Sequence, residues 1–166
     1  MVVSETITVS VQCRCNRPRA ILCTSLTSVD LSLAPETVIV AGPLWTVAVN
    51  RNQNLIGKAM LVANRRVESV TALYQDEWLD LHRQISRVTV ALGQLFRPDQ
   101  YNHAFLMNVD AQVHLHVVPR YREARTWNAY TFTDPNFGQL FGTEQRLLPA
   151  ADLAALATSI RAHLPG

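Results

Sequence analysis

The chain has 166 residues, 48% hydrophobic and 17% charged: enough for one core and one domain, and too apolar for wholesale disorder. Fifteen Lys and Arg against 13 Asp and Glu leave a formal net charge of +2, which gives no general attraction to nucleic acid or to an anionic membrane. The 6 glycines never fall as GxGxxG or as GxxxxGK followed by Ser or Thr, so the Rossmann fingerprint and the P-loop are excluded.

In chain order, residues 1–12 carry Glu5 and no long apolar run, so they do not read as a signal peptide. No stretch of ~18 apolar residues is available to span a membrane, and a cytoplasmic protein is expected. Thr6–Val11 alternates like a half-buried strand. Cys13, Cys15 and Cys23 are misspaced for a CxxC site and read as small apolar fillers or exposed thiols. Residues 1–35 are taken as a lead-in segment and 36–166 as the domain.

Val38–Val40 is a short strand stopped by Gly42-Pro43, and Leu44–Val49 is a second. Asn50–Asn54 is turn-prone, Gly57 closes that loop, and Lys58–Val62 is a third strand. Links this short join only antiparallel neighbours. The period then changes: Trp78, Leu81, Ile85, Val88, Leu92 and Leu95 form one stripe of a long helix that ends before Pro98. That stripe needs a sheet or a partner subunit to cover it, and Trp45 and Trp78 are expected in the core. Strands follow at His103–Met107 and Gln112–Val118, with a further one near Ala129–Thr133. A last helix runs from about Asp152 to Leu164. The order predicts an α+β fold: about five antiparallel strands, one long helix and a short C-terminal helix.

Gln112-Val-His114-Leu-His116-Val-Val-Pro-Arg120 is the unusual stretch. Strand period is two, so Gln112, His114 and His116 share one face while Val113, Leu115 and Val117 face the other way. Three readings compete: half of a metal site, two solvated histidines without a role, or nucleophilic catalysis by a neutral imidazole. Elsewhere, His82 and His163 read as solvated, and Asn50 and Asn108 as ordinary turn residues.

The stretch resembles the histidine triad (HIT) superfamily of nucleotide hydrolases and transferases, whose pattern is His-x-His-x-His and two apolar residues, often followed by Pro-Arg. The second and third histidines match at His114 and His116, and Gln112 departs from the first. Val49-Asn50-Arg51, Gly57, Met60-Leu-Val62 and Arg65-Arg-Val-Glu68 are similar to the fragile-histidine-triad branch. The resemblance implies that His114 attacks the α-phosphorus and forms a nucleotidyl-histidine. It gives His116 and Gln112 phosphoryl oxygens or the leaving group to hold, Asn50 the ribose hydroxyls, and Asn108 a phosphate. His at position 112 is expected to be tolerated. The implied substrate is a nucleoside phosphate anhydride or phosphoramidate such as a diadenosine polyphosphate, with a nucleotide-binding module of little turnover as the alternative. No cofactor and no zinc are implied, Mg²⁺ being able to accompany the nucleotide; a homodimer is. The branch's Gly-rich loop before the triad is missing, since only Val109-Asp110-Ala111 separates Asn108 from Gln112.

Overall fold

A computed structural model describes residues 33–166. The expected strand at Thr6–Val11, the three cysteines and nearly all of the lead-in segment lie outside the described residues.

Strands β1 (Val38–Ala41), β2 (Trp45–Val49) and β3 (Ala59–Ala63) form a meander. Helix α1 (Gln75–Phe96) follows, and then β4 (Gln100–Phe105) and β5 (His114–Arg120). The five strands make one antiparallel sheet in the order β1-β2-β3-β5-β4, which places the histidine strand between β3 and β4. A hairpin of β6 (Arg125–Trp127) and β7 (Tyr130–Phe132) and helix α2 (Ala150–Ala162) complete the α+β fold.

Alternation along the strands separates core from site. Trp45, Val47, Val49, Leu61, Leu115 and Val117 join Leu81, Val88, Leu92, Leu156 and Ile160 in the core, so both helices pack on that face. Ala48, Met60, His116 and Ala104 form one row of cross-strand partners on the opposite face. Val62 lies opposite His114 in the neighbouring row.

Gly57 makes the turn before β3 possible. Its φ of +84° suits glycine, and a Cβ there would lie 2.9 Å from Leu92 Cδ2. Loop and helix approach too closely for a side chain.

Several expected boundaries move. β4 begins three residues earlier than the expected strand and ends at Phe105, and β5 begins at His114 rather than Gln112. The strand expected near Ala129–Thr133 is the second arm of a hairpin whose first arm, β6, was not expected. The buried face of α1 is rotated from the apolar stripe: Glu77, Asp80 and Gln84 are buried, whereas Trp78 is 42% exposed. Trp45 takes the core position at that end, and its indole N–H donates to the Glu77 carbonyl at 2.8 Å. Glu77 is tolerated inside because Arg65 pairs with its carboxylate at 2.7 Å and the Tyr74 N–H donates to it. These contacts hold the Glu77 carboxyl below the usual carboxylate range, Arg65 contributing most. Trp78 meets Phe105 edge-on at the surface instead.

Candidate active site

His114 is buried and His116 half-buried, with ring centroids 4.9 Å apart in an edge-to-face arrangement. What each Nδ1 meets separates them. His114 Nδ1 lies 2.7 Å from the Gln112 carbonyl oxygen, which can only accept, so Nδ1 carries the proton and Nε2 the lone pair. His116 Nδ1 lies 3.3 Å from Asn50 Nδ2, which can only donate. The Asn50 amide orientation is fixed independently, since its Oδ1 accepts the Asn52 N–H at 2.9 Å. A neutral His116 therefore carries its proton on Nε2. Burial, with the charges of His114 and Lys58 adding, pulls the His116 pKa down to about 4, so the ring is neutral near pH 7.

Asn50 also borders a cavity of about 210 Å³, walled by Leu33, Ala34, Thr37, Met60 and Arg51. A larger cavity of about 290 Å³ lies between Asn54 and residues 133–146. The smaller one belongs to the site, because Asn50 ties it to His116.

The remaining expected residues fall differently. Gln112 precedes β5 and spends its carboxamide on the chain: Nε2 donates to the carbonyls of Ala63 (2.6 Å) and Arg65 (2.9 Å), and Oε1 accepts the Val67 N–H at 3.1 Å. Both amide hydrogens are used, which leaves none for a phosphoryl oxygen. Asn108 lies three residues past the end of β4 and is exposed, and among the described residues no hydrogen bond joins it to either histidine.

Sequence reasoning missed two features of the site. Lys58, the only lysine in the chain, is 6% exposed and donates to Asn54 Oδ1 at 2.9 Å. Burial lowers its pKa, while Glu144 acts in the opposite sense. Its signal was its singularity in a chain whose other basic residues are arginines. The second is residues 142–147, which grip the Asn50 loop. Asn52 Nδ2 donates to the Glu144 carbonyl, Asn52 Oδ1 accepts the Arg146 N–H, and Gln53 N donates to the Arg146 carbonyl. Among the described residues no group of three or more His, Cys, Asp or Glu gathers as metal ligands would, and no helix is long and apolar enough to cross a membrane.

The HIT domain model matches residues 32–123, more than half of the chain, and covers both histidines and Asn50. The chain belongs to the HIT-domain family. Solved HIT structures share its fold. A histidine triad protein of Bradyrhizobium japonicum is 24% identical with a TM-score of 0.59, over 80% of this chain and 97% of that one. One from Sinorhizobium meliloti is 21% identical with a TM-score of 0.63, over 76% and 88%. The diadenosine triphosphate hydrolase of Plasmodium falciparum is 15% identical with a TM-score of 0.59, over 78% and 77%. No curated protein matches the sequence significantly. The family match ends at residue 123, so the segment that grips the Asn50 loop lies beyond it.

Proposed function

We propose that this HIT-domain protein is a nucleotide hydrolase or nucleotidyltransferase acting on a nucleoside phosphate anhydride or phosphoramidate, a diadenosine polyphosphate being one candidate. The observation that carries the reading is the opposed protonation of the two imidazoles: a lone pair on His114 Nε2 beside a proton on His116 Nε2. One ring is set to attack and its neighbour to donate. In the first step a bond forms between His114 Nε2 and the α-phosphorus, and the bond to the leaving group breaks. His116 Nε2–H hydrogen-bonds the departing group as charge builds on it, and the proton that group takes up comes from solvent. Water then attacks phosphorus, the P–N bond breaks, and nucleoside monophosphate leaves. The proton lost by that water passes to solvent, and His116 keeps its Nε2 proton throughout. This chemistry needs no resident metal, and Mg²⁺ would arrive with the nucleotide. The base and ribose would occupy the cavity beside Asn50, whose apolar walls and single amide suit a nucleoside. Kinship with the fragile-histidine-triad branch rests on the Asn50–Arg51, Gly57 and Arg65–Glu68 pattern.

A nucleotide-binding module with little turnover is the second reading. The committed Gln112 carboxamide and the exposed Asn108, which among the described residues makes no hydrogen bond to either histidine, favour it, because neither is engaged in a contact that the histidines share. A panel of diadenosine polyphosphates, adenosine phosphoramidates and nucleotide sugars, read by release of nucleoside monophosphate, separates the two. Release with a trapped nucleotidyl-protein supports the enzyme. Tight nucleotide binding with no release from any substrate supports the module.

A further inference from the structure

Glutamine at position 112 has a job that its place in the histidine pattern does not suggest. Its three partners, the Ala63 and Arg65 carbonyls and the Val67 N–H, all lie on the stretch that leaves β3. The backbone closes the same junction: Val113 N–H donates to Val67 at 2.7 Å, and Ala63 N–H donates to Val113 at 3.1 Å. The Gln112 N–H is held as well, by Asp110 Oδ1 at 2.9 Å. The residue is thus fixed at its amide nitrogen and at both ends of its side-chain amide. Its one remaining polar group is the carbonyl that receives the His114 Nδ1 proton.

We propose that Gln112 is a positioning residue: its carboxamide staples residues 63–67 to the start of β5 and so fixes the carbonyl that keeps His114 protonated on Nδ1 with its lone pair on Nε2. The choice of glutamine follows from the partners. Two carbonyls and one N–H require two donors and one acceptor, which a carboxamide supplies. A neutral imidazole offers one of each, a carboxylate only acceptors, and a guanidinium only donors. Histidine at this position therefore leaves one backbone group unpaired, and the expectation that Gln112→His is tolerated reverses. The consequence for rate rests on the reading of His114 as nucleophile; the consequence for the imidazole proton does not.

Nuclear magnetic resonance on the wild-type protein, with and without AMP, gives the first test. We expect protected Gln112 side-chain amide protons that stay protected when AMP binds, and a single Nδ1–H form of His114. In Gln112→Ala we expect His114 to become a mixture of its two neutral forms. With the best substrate found, kcat should fall about 10²-fold, the scale of a small misplacement of a reacting group, with KM little changed. Gln112→His should share that loss. An unaltered His114 form and kcat in Gln112→Ala would overturn the proposal, as would AMP drawing the wild-type carboxamide off its backbone partners. If Gln112→Ala does not fold, Gln112→Glu, which keeps an acceptor for the Val67 N–H, carries the same comparison. If the wild type turns over nothing in the panel, the hydrolase reading fails, and the His114 proton and the amide protection still decide this one.

Discussion

Two histidines two positions apart on one strand end in different states because their Nδ1 atoms meet groups of opposite hydrogen-bonding character. For His114→Ala we expect loss of turnover and of covalent labelling, with nucleotide affinity within a few fold of wild type by calorimetry. His116→Ala should keep measurable turnover, reduced by about 10²–10³ as for loss of a single hydrogen-bond donor. The His116 site also has a pH signature. Its pKa falls from 6.5 in the unfolded chain to about 4 in the folded one. Between those values the unfolded state binds more protons, so stability is complete above 6.5 and is lost as pH falls through 4. Denaturant titrations from pH 7 to pH 4 should show a loss of roughly 2 kcal/mol, discounted for partial exposure, that His116→Gln largely removes. Comparison with that variant also cancels the contribution of Glu77, whose carboxyl Arg65 holds below the usual carboxylate range. The pair itself was legible in the sequence, since period two puts both rings on one face. Their inequality was not, because it depends on an amide 66 positions away from His116.

At the level of elements, the motif's closing arginine acts as a clamp. Arg120 is 2% exposed and uses its whole guanidinium: Asp134 takes two of its N–H groups, Asn102 one, and the carbonyls of Asn136 and Gln139 the others. It thereby holds the segment after β7 against the sheet. Arg120→Met would leave the Asp134 carboxylate buried without its partner, and we expect a loss of about 3–5 kcal/mol by denaturant unfolding. Gly57→Ala belongs at the same scale. A side chain there meets both an unfavourable φ and Leu92, and a loss of more than about 1 kcal/mol is expected by the same measurement. The β2–β3 meander and α1 could be read from the sequence because hydrophobic period and turn residues are local signals. The clamp and the grip on the Asn50 loop could not: both are made by polar side chains reaching backbone far away in sequence, which leaves no periodicity. The burial of Glu77, Asp80 and Gln84 was hidden for a related reason, since a partner such as Arg65 cancels the cost that a polarity pattern assumes.

For the molecule as a whole, β4 has one strand neighbour among the described residues, which leave its other edge open. Beside that edge Trp78 packs on Phe105, and Tyr74, Leu79 and Leu106 are exposed nearby in sequence. An open strand edge with apolar neighbours invites a second copy. We expect a homodimer at micromolar concentration by light scattering, and a shift toward monomer in Trp78→Asp. A wild-type protein that is only monomeric would count against this arrangement. Here too the sequence was half informative: the helix stripe called for a covering surface, but the sheet covers most of it, and the exposed part is the end that carries Trp78.

Lys58 is the only lysine of the chain and is 6% exposed. An amine-reactive reagent consequently has few places to go apart from the chain's own terminus. Its rate at Lys58 then reports how often that amine leaves Asn54 Oδ1 and reaches solvent, and a change in the rate with nucleotide bound would register occupancy beside Asn50 without any reporter being added.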